Sequence, residues 1–296
     1  MKHWDTVAVV GVGLIGGSIG LDLLAKKLAR RVVGIGRRQA SLDAAKRVGA
    51  VTETTLDLRA GVGDAELIVV CTPVGRIVDD VLAAAAAAKA GALITDVGST
   101  KQSIVAGVAG KLPDGVTFVG SHPIAGSEKS GPEAALLDLF DGRTAVVTPA
   151  ADTPPQATEA VEQFWRQLGS QVVRMTPADH DRALAATSHV PHIVASALAA
   201  ATPEEWLTLT AGGWLDTTRV AAADGELWVQ ILTDNRREVL AGLANVERRL
   251  AAVRQALESR DSNELETLLA EGRARREAAG KLRRRTPSNS STIKGT

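Results

Sequence analysis

The chain has very few of the residues on which redox and metal sites commonly depend. Only one of its 296 residues is a cysteine, Cys71, so an internal disulfide and a cysteine-built zinc site are both excluded. Tyrosine is absent, which excludes any mechanism that uses a tyrosine as the proton donor. A single cysteine suits a reducing compartment, and we therefore expect a cytoplasmic protein.

The chain also lacks net charge and the usual membrane signals. Lys plus Arg and Asp plus Glu both number 34, so no surface for nucleic acid is indicated. The N-terminus leads into a strand pattern with no apolar signal-peptide core. We find no apolar run of about 18 residues free of charge, which argues against a membrane-spanning helix. We expect neither nucleic acid nor a membrane as a partner, and the length allows two domains.

The first strong pattern is a glycine-rich loop between a strand and a helix. Thr6–Val10 is typical of a buried strand, Gly11–Gly16 reads G-x-G-x-x-G, and helical periodicity follows. In this context the first glycine serves a tight turn, the second lets a pyrophosphate approach, and the third lets helix and strand pack closely. Amides at the helix N-terminus hold the anion. The predicted cofactor-binding residues here are Gly11, Gly13, Leu14, Ile15 and Gly16.

The end of the second predicted strand bears on which dinucleotide is bound. Arg31–Ile35 is followed by Gly36, Arg37 and Arg38, where an NAD-dependent enzyme usually carries Asp or Glu for the ribose hydroxyls. Two arginines suit the 2′-phosphate of NADP, which a guanidinium binds through two hydrogen bonds. We therefore favour NADP over NAD. The alternative is a solvated basic turn.

Two further apolar runs predict strands that end at the same edge of a parallel sheet. The first runs within 64–71 and leads into Cys71, Thr72 and Pro73, and the second, 91–95, leads into Asp96. These four residues are expected to line the cofactor. Ser99 follows them. It either caps the next helix or contacts the cofactor or a catalytic histidine, and the two roles are compatible.

The stretch 120–128, Gly-Ser-His-Pro-Ile-Ala-Gly-Ser-Glu, is the strongest candidate for chemistry. His122 comes directly after a predicted strand, Thr117–Gly120, and Pro123 stiffens the backbone beside it. Glu128 adds a carboxylate to the same segment. Taken alone, the pattern also fits an ordinary histidine in a surface loop.

From residue 177 onward the pattern is almost entirely helical. His189 and His192 open an alanine-rich helix, but no third ligand or H-E-x-x-H pattern accompanies them, so we expect no metal. Arg219 follows a glycine-rich turn and suits a substrate carboxylate, an internal ion pair being the alternative. We predict an α/β fold with an N-terminal Rossmann-type dinucleotide-binding domain, 1–176, an all-α dimerisation domain, 177–282, and a polar tail, 283–296.

Six segments in this order resemble the prephenate/arogenate dehydrogenase family of tyrosine biosynthesis. They are the glycine loop 11–16 and the segments 71–74, 96–101, 120–128, 188–192 and 213–219. The resemblance covers roughly residues 5–280, and its specific parts contain His122 and Arg219. It implies a Rossmann domain, a helical domain that forms a homodimer, and an active site in the cleft between them. The implied substrate is prephenate, with arogenate as the alternative.

The resemblance also implies roles for individual residues. His122 is similar to the histidine that takes the proton of the ring hydroxyl, and Ser99 to the serine that orients it. Glu128 is similar to an acid at the gate of the pocket. His192 and Arg219 are similar to residues that bind the side chain and carboxylate of the substrate. By the same resemblance, Trp228 lies where an aromatic residue of the partner subunit reaches the pocket.

The chain departs from the family pattern at two places. Arg37 and Arg38 replace the acid of NAD-dependent members, and Leu215 stands where some members carry a basic residue. Two other functions remain open. A β-hydroxyacid dehydrogenase typically uses a catalytic lysine in its helical half, for which no matching segment is found. A non-catalytic NADP-sensing protein has no need of the histidine, serine and arginine described above.

Overall fold

The computed structural model describes residues 3–126 and 129–285, the last three of them by backbone alone. Its sheet has eight strands in the order β3-β2-β1-β4-β5-β6-β7-β8. The strand order turns back between β1 and β4, which is the switch point at which open α/β sheets bind nucleotides. The strands are β1 Trp4–Val10, β2 Ala29–Ile35, β3 Glu53–Thr55, β4 Leu67–Val70, β5 Leu93–Asp96, β6 Thr117–Pro123, β7 Thr144–Thr148 and β8 Gln171–Arg174.

Both faces of the sheet are buried, as the apolar strands require. Val7 and Val9 of β1 belong to one hydrophobic cluster, while the alternate residues Ala8 and Val10 belong to a second. Because successive strand side chains point to opposite faces, the two clusters lie on the two sides of the sheet. The helices of this part are α1 Leu14–Ala25, α2 Gln39–Arg47, α3 Leu58–Val62, α4 Val74–Ala85, α5 Gln102–Val108 and α6 Pro155–Gln167.

Strand β6 is longer than the sequence pattern predicts. The prediction ended it at Gly120 and placed His122 in the loop beyond, but the strand continues to Pro123. Its first part pairs in parallel with β5, and Gly120–Pro123 pairs antiparallel with β7, His122 lying opposite Val146. Hydrogen bonds from a distant strand therefore hold the backbone of His122, and local sequence does not reveal such pairing.

After β8 the chain is helical throughout the described residues, as predicted. The elements are α7 Pro177–Leu184, a π-helical turn Ala185–His189, α8 Val190–Ala201, a 3₁₀ turn Glu204–Leu209, α9 Gly212–Thr218, a 3₁₀ turn Arg219–Ala222 and α10 Gly225–Asp234. The helix that runs continuously through Pro177–Ala201 is long and apolar enough to cross a membrane, with a mean hydropathy of 1.3. The expectation that the chain has no charge-free apolar run of this length was wrong for this stretch. Its buried polar residues His180, Asp181 and His189 pair with neighbouring elements, as in a core helix.

The chain divides into two compact units, Met1–Asn235 and Arg236–Thr296. The first contains the sheet and helices α1 to α10. In the second, α11 Arg236–Glu258 and α12 Ser262–Arg285 pack together as a helical hairpin. An ion pair between Arg249 and Glu271, 3.0 Å apart, joins the two helices.

Candidate active site

The loop after β1 has the backbone that the glycine pattern predicts. Gly11 adopts φ +96°, and a Cβ there would meet the carbonyl oxygen of Cys71 at 2.8 Å, so the loops after β1 and β4 touch. A Cβ on Gly16 would overlap the carbonyl oxygen of Gly11. Gly13, which precedes α1, has open space beside it. An open glycine at a helix N-terminus on the switch point fits the pyrophosphate of a dinucleotide.

The four arginines of β2 and the turn after it differ in their contacts. Arg30 and Arg31 pair with Asp5 and Glu53 through two hydrogen bonds each. Arg37 and Arg38 are exposed at the carboxyl end of the strand, and neither forms an ion pair within the described part of the chain. Two cations therefore remain available where the 2′-position of the adenosine ribose is bound in such folds.

The loops after β4 and β5 bury several polar groups. Burial strongly raises the pKa of the Cys71 thiol, so it stays protonated. The Thr72 hydroxyl is buried and has no hydrogen-bond partner among the described residues. Asp96 and Lys101 form a fully buried ion pair, and burial lowers the pKa of Lys101. Lys101 lies in the segment 96–101 that carries the family resemblance, but its role in this ion pair is not visible in the sequence.

Asp96 also fixes the strand that carries His122. Its carboxylate accepts hydrogen bonds from the backbone amides of Gly98, at 2.8 Å, and Ser121, at 3.0 Å. The Ser121 hydroxyl donates to the Asp96 carbonyl and accepts from the Trp165 indole N–H at 2.9 Å. Buried hydrogen bonds between Asp96 and Ser121 thus hold the end of β5 beside β6.

His122 is the first member of a chain of three polar side chains. Its Nδ1 lies 2.9 Å from Nε2 of His180, and Nδ1 of His180 lies 2.7 Å from Oδ1 of Asp181. His180 and Asp181 are on α7 and are both buried. Sequence reasoning missed the pair, although the segment 176–181, with its adjacent His and Asp at a helix start, was a visible signal.

The environment keeps both histidines neutral. The pKa of His122 lies well below its ordinary value because the ring is desolvated and because His180, Lys101 and His189 are nearby. Burial also lowers the pKa of His180, while its hydrogen bond to Asp181 acts in the opposite direction. A neutral imidazole has one nitrogen free to accept a proton, which a general base requires.

The carboxylate of Asp181 caps α5. It accepts from the backbone amides of Lys101, at 2.7 Å, and Gln102, at 2.9 Å. The suggestion that Ser99 caps this helix is wrong, because α5 begins at Gln102 and a side chain from α7 satisfies its first amides. Ser99 is half-buried in the turn between β5 and α5.

A second aromatic and polar group surrounds His189 and His192. The side-chain amide of Asn235 lies 3.1 Å from Nδ1 of His189 and donates to the Asp181 carbonyl at 2.7 Å. Burial lowers the pKa of His189 to about 4. His192 stacks on Trp228 with ring centroids 3.7 Å apart, so this tryptophan contacts a predicted site residue of its own chain.

His192 and Arg219 lie on neighbouring segments. The 3₁₀ turn that begins at Arg219 packs on α8, and burial lowers the pKa of His192 while the backbone of Val220 acts in the opposite direction. Arg219 itself is exposed, and no ion pair within the described residues involves it. Glu128 lies outside the residues that the structure describes. Among those residues, no group of three or more His, Cys, Asp and Glu side chains could hold a metal ion.

Two protein-family models match successive parts of the chain. The first, "Prephenate dehydrogenase, nucleotide-binding domain", matches residues 19–174, and the second, "Prephenate dehydrogenase, dimerization domain", matches residues 176–271. A prephenate dehydrogenase of Bacillus subtilis is 34% identical over 270 residues, covering 88% of this chain and 72% of that protein. A cyclohexadienyl dehydrogenase of Zymomonas mobilis is 32% identical over 274 residues, covering 90% and 92%.

Solved structures agree with these sequence matches. The crystal structure of prephenate dehydrogenase from Aquifex aeolicus, in complex with hydroxyphenyl propionate and NAD+, has a TM-score of 0.86 at 28% identity. It covers 93% of this chain and 98% of its own. Synechocystis arogenate dehydrogenase has a TM-score of 0.80 at 29% identity, covering 93% and 99%.

Proposed function

The chain belongs to the prephenate dehydrogenase family, and from this premise we propose that it converts prephenate to 4-hydroxyphenylpyruvate, a step of tyrosine biosynthesis, with NAD(P) as the oxidant. The observation that carries the proposal is His122, a neutral imidazole hydrogen-bonded to His180 at the carboxyl edge of a dinucleotide-binding sheet. The test is to mix protein, prephenate and NAD or NADP and follow the absorbance of the reduced cofactor. No reduction with either cofactor contradicts the proposal.

The chemistry assigns His122 the proton of the substrate hydroxyl. A nicotinamide held at the glycine loop 11–16 would supply the hydride acceptor for the ring carbon that bears this hydroxyl. The bond between the ring and its carboxylate then breaks and carbon dioxide leaves. The electron pair of the broken bond stays in the ring and makes it aromatic. The phenolate oxygen recovers the proton from His122, so protons and electrons balance. A positioned general base contributes roughly 10²–10⁴ in rate.

Removing the base tests this assignment. We expect His122→Asn to lower kcat by at least about a hundredfold while cofactor affinity and fold are retained. His3→Asn is a matched control, because His3 is an exposed histidine, hydrogen-bonded to the Lys27 carbonyl. Near-normal turnover by His122→Asn rejects His122 as the base.

For the cofactor, we propose a preference for NADP. The support is the contrast between the paired Arg30 and Arg31 and the exposed Arg37 and Arg38. Changing Arg37 and Arg38 to serine is expected to weaken NADP binding by about 1.5–3 kcal/mol per lost charge-assisted bond and to spare NAD. The same titration with Arg47→Ser, an exposed arginine of α2, is the control. Equal losses for both cofactors contradict the preference.

For the substrate, we propose prephenate over arogenate by at least about tenfold in kcat/KM, or about 1.4 kcal/mol. The preference rests on family membership. Arg219, which is exposed and forms no ion pair among the described residues, would bind a carboxylate that both substrates carry. Arg219→Gln should then raise KM more than it lowers kcat, because a carboxylate is present in ground and transition states alike. Measuring both substrates on the wild-type protein decides the preference.

A specific observation favours arogenate as the second candidate. Nδ1 of His192 is buried and has no partner among the described residues, while the backbone of Val220 takes the hydrogen bond of the ring. A neutral His192 has one N–H, which is donated to the backbone of Val220. Its Nδ1 then carries a lone pair, which suits an ammonium better than a keto oxygen. His192→Ala should then lower kcat/KM for arogenate more than for prephenate. The opposite result makes His192 a donor to the keto oxygen.

We further propose that the chain acts as a homodimer through its helical part, with a border near residues 176–177. The family model named for dimerization supports this, as does the place where the two models meet. In the second unit Leu250, Leu257 and Leu269 are each more than half exposed. Exposed leucines on both helices of the hairpin suit a surface that a second copy of the chain covers. Light scattering should give twice the mass of the chain, and a monomer contradicts the proposal.

The proposed compartment is the cytoplasm. Its support is the single cysteine of the chain, which suits a reducing compartment. Fractionation of cells that express the full chain tests it, and recovery in the membrane fraction contradicts it.

A further inference from the structure

The order of hydrogen bonds behind His122 determines which of its two nitrogens is free to act as the base. The order can be followed from Asp181 outward, because a carboxylate only accepts hydrogen bonds and a neutral imidazole has one donor nitrogen and one acceptor nitrogen. The inference rests on the proposed function, since it deepens the role of His122, but its first test needs no substrate.

Asp181 sets the direction. Backbone N–H groups of Lys101 and Gln102 donate to its two oxygens, at 2.7 and 2.9 Å. An ionised carboxylate only accepts hydrogen bonds, and two amide donors stabilise the ionised form. The ring nitrogen Nδ1 of His180, 2.7 Å from Oδ1, must therefore carry the hydrogen.

The tautomer of His180 determines which atom donates in its hydrogen bond to His122. Burial keeps His180 neutral by lowering its pKa, so it has one N–H, which Asp181 already receives. Its Nε2 therefore has a lone pair and accepts. Nδ1 of His122, 2.9 Å away, must supply the hydrogen of this bond. The lone pair of a neutral His122 is then left on Nε2.

We propose that Asp181 and His180 are positioning residues that hold His122 in the Nδ1–H tautomer, so that Nε2 is the atom that accepts the substrate proton. With the opposite tautomer, two lone pairs face each other across 2.9 Å and the reactive nitrogen already carries a hydrogen. Two other groups near His122 already have hydrogen-bond partners of their own. Lys101 is occupied by Asp96, and His189 receives its hydrogen bond from Asn235.

The first test is the tautomer itself. The chain has five histidines, so a long-range ¹H–¹⁵N spectrum of histidine-labelled protein is simple, and the signals of His122 are those that His122→Asn removes. We expect the wild-type protein to show a pyrrole-like Nδ1 and a pyridine-like Nε2 on His122. The reverse pattern in the folded wild-type protein overturns the proposal without any variant of His180.

The second test separates positioning from packing. His180→Leu removes the acceptor, so the Nδ1–H signal of His122 should be lost and kcat should fall at least about tenfold, with cofactor affinity unchanged. In His180→Gln the side-chain carbonyl can accept from His122 while the amide faces Asp181, so both the tautomer and most of kcat should return. An unchanged tautomer in a folded His180→Leu protein, or no recovery in His180→Gln, overturns the proposal.

The two tests also separate this inference from the proposed function. A wild-type protein with the expected tautomer that does not oxidise prephenate contradicts the substrate and leaves the hydrogen-bond order standing. A wild-type protein that oxidises prephenate with the opposite tautomer contradicts the inference alone.

Discussion

Protonation of His189 should destabilise the folded chain in mild acid, by an amount that can be worked from the structure. The ring is 1% exposed, and its Nδ1 accepts from the side-chain amide of Asn235 at 3.1 Å. The same amide nitrogen donates to the Asp181 carbonyl, so the amide cannot turn its oxygen toward the ring without losing that bond. A protonated His189 therefore presents an N–H to an N–H.

The sign and size of the change in the free energy of unfolding follow from the linkage between proton binding and folding. The pKa of His189 is lowered from 6.5 to about 4 in the folded chain, chiefly by burial. As the pH falls through 6.5 the unfolded chain takes up the proton first, so the free energy of unfolding decreases until the pH reaches about 4. At about 1.4 kcal/mol per pKa unit, the loss due to this residue is about 3 kcal/mol.

The variant that isolates this effect is His189→Asn. Its Oδ1 is placed to accept from Asn235, and it does not titrate. The free energy of unfolding would be measured by urea denaturation followed by circular dichroism, at pH 7 and pH 4 and one protein concentration. Other buried histidines titrate in both proteins, so the wild type should lose about 3 kcal/mol more than the variant over this range. Losses that agree within about 1 kcal/mol refute the reasoning.

Two further predictions concern the glycine loop and the buried ion pair. Gly16→Ala should lower the free energy of unfolding by about 1–3 kcal/mol and weaken cofactor binding, because its Cβ overlaps the Gly11 carbonyl. Gly13→Ala should weaken only cofactor binding, because Gly13 has open space beside it. Cofactor titration and urea denaturation of both variants measure the two effects. A Gly16→Ala protein as stable as the wild type contradicts the packing role. Lys101→Met should cost about 3–5 kcal/mol because it leaves Asp96 buried without its cation. The added change Asp96→Asn should recover part of that loss in urea denaturation, and no recovery contradicts the electrostatic explanation.

The sequence was informative where one local pattern dictates one geometry. The glycine loop, the apolar strands and the helical second half each follow from spacing alone, because turn, strand and helix impose different periods on the chain. The neighbourhood of His122 could not be obtained in this way. His180 and Asp181 are 58 and 59 positions further along the chain, and only the packing of α7 beside α5 brings them to the site. The extension of β6 likewise depends on pairing with β7, about 25 residues away.

The shared use of one carboxylate at Asp181 restricts how this site can be altered. Oδ1 receives both the amide of Lys101 and the imidazole of His180, while Oδ2 receives the amide of Gln102. The nearly isosteric Asp181→Asn would set an NH₂ against a donor in either orientation. An NH₂ at the Oδ2 position meets the amide of Gln102 at the start of α5, and one at the Oδ1 position meets both the amide of Lys101 and the imidazole of His180. Anyone who wishes to change the pH range of this enzyme by engineering should leave this residue alone. Lys101 and His189 also lower the pKa of His122, and neither is hydrogen-bonded to its ring. Of the two, His189 is the better position for engineering, because replacing Lys101 leaves Asp96 buried without its cation.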